Sequence, residues 1–220
     1  MNKNNNSPLG VRGMILAAGL GTRLKPFTDA HPKALAVVNN KTLLQRNIEY
    51  LQQFGITEVI VNVHHFADQM IDTIKSNNGW GSHISISDET HEVLETGGGL
   101  LKAKWFLENE NHFVLMNVDV LTDLNLHAMI QQHQQSNALA TLAVTERETS
   151  RYFLFDEDNT LCGWRNVKTG EERPYPLPLS SDKKGKLVQR AFSGIHVINS
   201  TIFSLIQQQG KFSMVDVYLS

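Results

Sequence analysis

The chain has 220 residues, 41% hydrophobic and 19% charged, with a formal net charge of −2. That length supports one substantial core. The near-neutral balance, with no Lys/Arg run, excludes electrostatic docking on nucleic acid or an anionic membrane.

No apolar run reaches the roughly 18 residues of a membrane span. Residues 1–10, which begin Met1-Asn2-Lys3-Asn4-Asn5-Asn6-Ser7-Pro8, lack a signal-peptide segment and read as a flexible tail. Residues 11–220 read as one domain. The single cysteine, Cys162, cannot form an internal disulfide and reads as a small core or surface residue. Together these features predict a cytoplasmic protein.

Met14-Ile15-Leu16 is an apolar run that reads as a buried strand. Leu43, Leu44, Ile48, Leu51 and Phe54 recur at helical spacing, and Gly55 follows as a stop. Val59 to Val63 reads as a strand, and Met70, Ile71 and Ile74 mark a second helix. His83 to Ser87 alternates as a short strand, and Leu100 to Leu107 is a third helix. Phe113 to Met116 is a strand leading to Asp119. Leu126, Met129 and Ile130 open another helix, and Leu139 to Val144 a further strand. This alternation predicts an α/β, Rossmann-like, open and mainly parallel (mixed) sheet with helices on both faces.

From Arg147 the texture changes. Tyr152 to Phe155 and Leu161 to Trp164 flank a turn at residues 156–159 and read as a hairpin. Residues 170–185 are polar and hold Pro174, Pro176 and Pro178, so they read as a loop or lid. Ala191 to Ile198 reads as a returning strand, which makes a small β excursion. The Gln clusters at 131–135 and 207–209 read as solvated helix faces.

The segment after the first strand carries the chemistry: Leu16-Ala17-Ala18-Gly19-Leu20-Gly21-Thr22-Arg23-Leu24, then Pro26 and Pro32-Lys33. Small residues let the backbone approach a ligand, and exposed amides beside Arg23 and Lys33 suit a polyphosphate. The P-loop string Gly-x-x-x-x-Gly-Lys-Ser/Thr occurs nowhere. The dinucleotide fingerprint fails because Leu24 stands where its third Gly or Ala belongs. That failure disfavours a dinucleotide-dependent oxidoreductase.

The composite Gly-x-Gly-Thr-Arg-Leu, with Pro26 and Pro32-Lys33 behind it, closely resembles the signature of the nucleotidyltransferase family that makes nucleotide sugars. The resemblance runs from about Arg12 to near the chain end. It implies a nucleoside triphosphate and a sugar 1-phosphate as substrates, with Mg²⁺ as cofactor. Backbone at Leu16, Ala17, Ala18, Gly19, Gly21 and Thr22 would cradle the nucleotide. Arg23 would hold the leaving pyrophosphate, and Lys33 would neutralise charge on the transferring phosphate.

Asp119 lies at a strand end, where open α/β sheets bind ligands, and offers a hard oxygen for Mg²⁺. A turn or helix-cap role is the alternative. The family carries its metal-binding Asp at this point, often after Gly; here Val118 precedes it. Glu95-Thr96-Gly97-Gly98-Gly99 is a second glycine cluster, placed just before a helix. It permits backbone approach to a base or sugar, or serves as a flexible helix entry. Its form resembles the branch of N-acetylmuramate-1-phosphate uridylyltransferases and some mannose-1-phosphate guanylyltransferases. UTP with N-acetylmuramate 1-phosphate, or GTP with mannose 1-phosphate, is the pair this implies.

Asp123 reads as the cap of the following helix. His64 and His65 are adjacent, so on a strand they face opposite sides and make no two-His metal face. Trp164 and Gly194 are expected on the sugar side, although the Glu-Glu-Lys-like element common there is absent. The family also completes its Mg²⁺ site with an Asp in a Trp-x-Asp-x-Gly-like segment. No such segment occurs, and Asp216 stands in another context, so the expectation is a C-terminally truncated domain or a site assembled otherwise. Two other functions stay open: a cytidylyltransferase acting on phosphocholine, and a nucleotide-binding or regulatory module without turnover.

Overall fold

The computed structural model describes residues 10–174 and 187–220. β1 (Arg12–Leu16) lies inside a nine-stranded sheet, flanked on both sides by parallel strands. A strand covered on both faces reads as an apolar run, and Met14 and Ile15 expose no surface. Single helical turns follow at Thr22–Leu24, Phe27–Asp29 and Lys33–Leu35. β2 (Val37–Val38) and β3 (Lys41–Thr42) form a small separate ribbon.

Next come α1 (Leu43–Gln53), β4 (Glu58–Val63), α2 (Ala67–Ser76) and β5 (His83–Asp88). The Thr42 hydroxyl caps α1 by accepting the Gln45 N–H at 3.1 Å. Gly55 ends it at φ +74°, the left-handed conformation that glycine allows. Then follow α3 (Glu95–Lys102), α4 (Lys104–Leu107), β6 (His112–Asn117), α5 (Leu126–Ser136) and β7 (Ala140–Thr145). The excursion holds β8 (Arg151–Phe155), β9 (Leu161–Asn166) and β10 (Glu171–Pro174). The chain returns through β11 (Val188–Asn199), then α6 (Ile202–Leu205) and α7 (Met214–Tyr218).

The strand order is β10-β9-β8-β11-β6-β1-β4-β5, with β7 paired to β11. β5, β4, β1 and β6 run parallel; β11 is antiparallel to β6, β7 and β8. Side chains alternate across the sheet. Ile15 and Met116 join Leu44, Ile48 and Leu51 of α1, Met70 of α2 and Ile130 of α5 on one face. Met14 and Leu115 join Leu100, Phe106, Leu107, Phe203 and Met214 on the other. Helices therefore cover both faces, as the alternation predicts. Among the described residues no helix is long and apolar enough to cross a membrane.

Several local expectations are corrected. The third helix begins at Glu95, so Gly97, Gly98 and Gly99 lie inside it, and it breaks at Ala103 into α3 and α4. α5 is capped by Asn125, whose Oδ1 accepts the Ala128 N–H at 3.1 Å; Asp123 is not the cap. Residues 171–174 form edge strand β10 against β9, and Pro174 is tolerated at its end. The rest of the expected lid, like the N-terminal tail up to residue 9, lies outside the described residues. Gln207 to Gln209 follow α6 as non-helical chain. Cys162 is buried, and its thiol donates to the Thr160 carbonyl at 3.3 Å.

Candidate active site

The C-terminal ends of the parallel strands share one edge of the sheet, the edge at which such sheets bind ligands. β1 delivers residues 17–24 there, β4 delivers His64, β5 delivers Glu89, and β6 delivers Asn117 to Asp119.

Lys33 and Asp119 meet at this edge, although 86 positions separate them: Lys33 Nζ donates to Asp119 Oδ2. The Lys33 side chain is 17% exposed and that of Asp119 38%, so the pair is half-shielded and reachable. Asp119 is held from beneath. The Val118 N–H donates to the Leu16 carbonyl at 3.1 Å, and buried Asn47 donates its Nδ2 to the Val118 carbonyl at 2.7 Å. Asn47 also donates to the Leu43 carbonyl at 2.8 Å, which ties this turn to α1. Asp119 Oδ1 has no partner among the described residues.

Gly21 folds the loop onto Lys33. Its φ is +62°, and a Cβ there would stand 2.9 Å from both Lys33 Cβ and Thr28 Cγ2. Its carbonyl accepts the Thr28 hydroxyl at 3.0 Å and the Leu24 N–H at 2.8 Å. Arg23 is exposed and makes no side-chain bond or ion pair among the described residues. Gly19 is exposed, with open space where a Cβ would be.

One part of the expected cradle is different. Ala17 and Ala18 do not offer their amides outward; both donate to Asn62 Oδ1, at 2.6 and 3.2 Å. The amides of the loop from Gly19 through Arg23 have no partner among the described residues.

The glycine cluster packs on the chain itself. A Cβ at Gly97 would stand 2.5 Å from the Phe212 ring, and one at Gly98 2.2 Å from the Gly210 carbonyl oxygen. One at Gly99 would stand 2.9 Å from Glu89 Oε1 and 3.0 Å from Asn62 Nδ2. The Gly97 and Gly98 amides both donate to the Phe212 carbonyl, and Thr96 Oγ1 accepts the Met214 N–H at 2.8 Å. Glu95 opens the helix at φ +59° with an exposed side chain 3.6 Å from Lys211 Nζ.

Glu89 is 1% exposed. Burial pushes its carboxyl above the ordinary value, against hydrogen bonds from Asn62 and Leu94 and the nearby Lys102 and His64. His64 Nδ1 lies 2.7 Å from the Glu89 carbonyl oxygen, and the His65 ring packs tilted against Phe66. Among the described residues no group of three or more His, Cys, Asp or Glu could hold a metal.

Gly194 lies where β11 changes partners. Its φ is +83°, and a Cβ there would stand 2.5 Å from Val120 and 3.2 Å from Asn117 Nδ2, beside the Asp119 turn. Trp164 is buried and covered by the Arg173 guanidinium, 5.3 Å from its ring, and Arg173 bonds Asp216 at 2.7 Å. Asp216 completes a capping box with Ser213 at the start of α7. Burial pushes the Asp216 carboxyl up, and the bonds from Ser213 and Arg173 more than reverse this.

Sequence patterns missed three residues: Asn47, Asn62 and Glu89. Asn62 left a signal, because a polar side chain within Val59-Ile60-Val61-Asn62-Val63 demands buried partners. Asn47 left the same signal on the apolar face of α1. Glu89 left none.

A model for the family described as nucleotidyl transferase matches residues 12–213. A mannose-1-phosphate guanyltransferase of Yarrowia lipolytica is 29% identical over 199 residues, 89% of this chain and 51% of that protein. An N-acetylmuramate alpha-1-phosphate uridylyltransferase of Neisseria meningitidis is 37% identical over 121 residues, 55% of this chain and 52% of that protein. The chain thus spans about half the length of these curated relatives. The crystal structure of HddC from Yersinia pseudotuberculosis complexed with GMP-PN superposes with TM-score 0.73 at 23% identity. That match covers 93% of this chain and 83% of the other, and shows a shared fold.

Proposed function

The chain belongs to the nucleotidyl transferase family, and we propose that it transfers a nucleoside monophosphate from a nucleoside triphosphate to a sugar 1-phosphate. The observation that carries this reading is the Lys33–Asp119 pair, held at the ligand edge of the sheet beneath a loop with open amides and an unpaired Arg23. The relatives' names suggest GTP with mannose 1-phosphate, or UTP with N-acetylmuramate 1-phosphate.

An anionic oxygen of the sugar phosphate attacks the α-phosphorus. The bond from that phosphorus to the bridging oxygen breaks, and pyrophosphate leaves. The nucleophile is already charged, so the protein needs no general base. Catalysis is positioning plus charge stabilisation. Lys33 faces the α-phosphoryl oxygens, and Arg23 reaches the leaving pyrophosphate. The amides of Gly19 and Gly21 point at the phosphates, with Leu16, Ala17, Ala18 and Thr22 shaping the cradle. Glu95 and Thr96 border the base, with Gly97 and Gly98 fixing the start of α3 against residues 210–213, and Gly194 borders the sugar, a side that Trp164 supports from beneath Arg173.

Asp119 fits Mg²⁺: it is a hard oxygen donor with Oδ1 unpartnered among the described residues. Mg²⁺ commonly binds through one or two carboxylates and takes its other ligands from phosphate and water. When bound, the ion would neutralise phosphate charge.

A second reading is a module that binds nucleotide without turnover. It is favoured by Asp216, whose carboxylate is taken by its own helix cap and Arg173. A pyrophosphate-release panel separates the two. Each nucleoside triphosphate is paired with mannose 1-phosphate, N-acetylmuramate 1-phosphate, glucose 1-phosphate and phosphocholine. Release that requires a sugar 1-phosphate supports transfer. Nucleotide binding without release supports the module, and release with phosphocholine alone would replace the sugar.

A further inference from the structure

Two buried polar side chains join the phosphate loop to the glycine-bearing helix. Asn62 is 2% exposed and Glu89 is 1% exposed. Asn62 Oδ1 accepts the Ala17 and Ala18 amides at 2.6 and 3.2 Å. Its Nδ2 donates to Glu89 Oε1 at 2.8 Å. Glu89 Oε2 accepts the N–H of Leu94, the residue before α3, at 3.2 Å. A continuous chain of hydrogen bonds therefore runs from the β1 loop to the start of α3.

The surroundings leave this chain no slack. Gly99 presses on both partners, and a Cβ there would stand within 3.0 Å of each. His64 Nδ1 steadies the Glu89 carbonyl from the other side at 2.7 Å. Burying an amide against a carboxylate is an expensive way to fill a core, and apolar side chains of similar size often serve stability better. Apolar replacements would, however, leave the Ala17 and Ala18 amides without an acceptor and release the loop from α3.

We propose that Asn62 and Glu89 are positioning residues for the nucleotide: a buried strut that sets the separation between the phosphate loop and the start of α3. This rests on the nucleotidyltransferase reading of the site. Neither side chain touches the nucleotide; each acts through backbone that does. Strut damage therefore weakens nucleotide recognition in particular, whereas a general packing defect lowers stability and the active fraction alone.

The test compares Asn62→Ala, Glu89→Gln and the double variant with the unaltered chain. Calorimetry with Mg²⁺ and GTP or UTP gives Kd, and turnover with the accepted sugar 1-phosphate gives both KM values. Amide hydrogen exchange at Ala17 and Ala18 reads the strut without ligand. Asn62→Ala should speed that exchange and raise the nucleotide Kd and KM on the order of tenfold, the size of one mis-set buried hydrogen bond. The sugar 1-phosphate KM should stay within about twofold, the change expected when the altered bonds lie on the nucleotide side alone. Glu89→Gln keeps an acceptor for Asn62 and loses the Leu94 bond, so its effect should be smaller. If Asn62→Ala does not fold, Glu89→Gln carries the comparison. The double variant should be no worse than Asn62→Ala, as members of one chain are non-additive. Unchanged nucleotide Kd in folded variants, or both KM values rising together, would overturn the strut. An unaltered chain that binds neither GTP nor UTP would overturn the functional reading, and the strut's role with it.

Discussion

Gly98→Ala sets two physical effects against each other. Gly98 lies inside α3, where helix propensity alone favours alanine by about 0.8–1.0 kcal/mol. The new methyl, however, would stand 2.2 Å from the Gly210 carbonyl oxygen and 3.0 Å from Leu94 Cβ, while ordinary contact begins at 3.4 Å. The nearer obstacle is backbone and cannot rotate away. The 210–213 segment must retreat by about 1 Å, a shift set by that contact. That retreat stretches the Gly97 and Gly98 bonds to Phe212, now 2.9 and 3.1 Å, and the Met214–Thr96 bond at 2.8 Å. Overpacking costs about 1–3 kcal/mol, and each weakened bond up to about 1 kcal/mol. The balance is a net loss of about 2 kcal/mol, which in a domain of this size lowers the thermal midpoint by about 4–8 °C. Urea and thermal denaturation followed by circular dichroism measure it. An unchanged or raised midpoint would show that α3 is not packed against residues 210–213 as described.

Arg23→Ala should leave the thermal midpoint within about 1 °C, as an exposed side chain without partners adds little to stability. It should cut kcat on the order of 10²–10³, the usual loss of one preorganised donor; steady-state kinetics beside a melting curve read both. Asp119→Asn keeps volume and removes the anionic oxygen, so the Mg²⁺ concentration giving half-maximal turnover should rise; an unchanged Mg²⁺ titration would leave Asp119 a structural partner of Lys33. Acid should destabilise the fold through His196, whose Nδ1 meets the Tyr218 hydroxyl at 2.7 Å and whose pKa is pushed down to about 3 by burial. The unfolded chain then takes up the proton first, so this contribution is full above about pH 6.5 and is lost as pH falls toward about 3. Between pH 7 and pH 5 that amounts to about 2 kcal/mol, and His196→Gln should flatten the slope in urea titrations at the two pH values.

Much of the fold was legible because buried parallel strands and amphipathic helices write different periods into the chain. The first loop was legible because Gly21 must accept a positive φ and a close approach. Both Lys33 and Asp119 could be singled out, but not their contact, since nothing local announces a partner 86 residues away. Glycine is a poor helix former, so the sequence places the glycine cluster outside its helix. Tertiary packing against residues 210–213 overrides that preference. Asp123 and Asn125 are both good caps by type; backbone conformation at Asn125, invisible in sequence, decides between them. The small side chains of Ala17 and Ala18 suggest open amides, whereas Asn62 reaches both from the neighbouring strand β4.

Transfer of a nucleoside monophosphate onto a sugar phosphate changes the chemical environment of every phosphorus involved. Phosphorus NMR of the chain with Mg²⁺, GTP or UTP, and the matching sugar 1-phosphate follows every phosphorus at once. The sugar phosphate monoester signal should give way to the paired signals of a sugar diphosphate ester, with free pyrophosphate in equal amount. Signals of triphosphate and sugar phosphate that persist unchanged, while the nucleotide is shown to be bound, would contradict it.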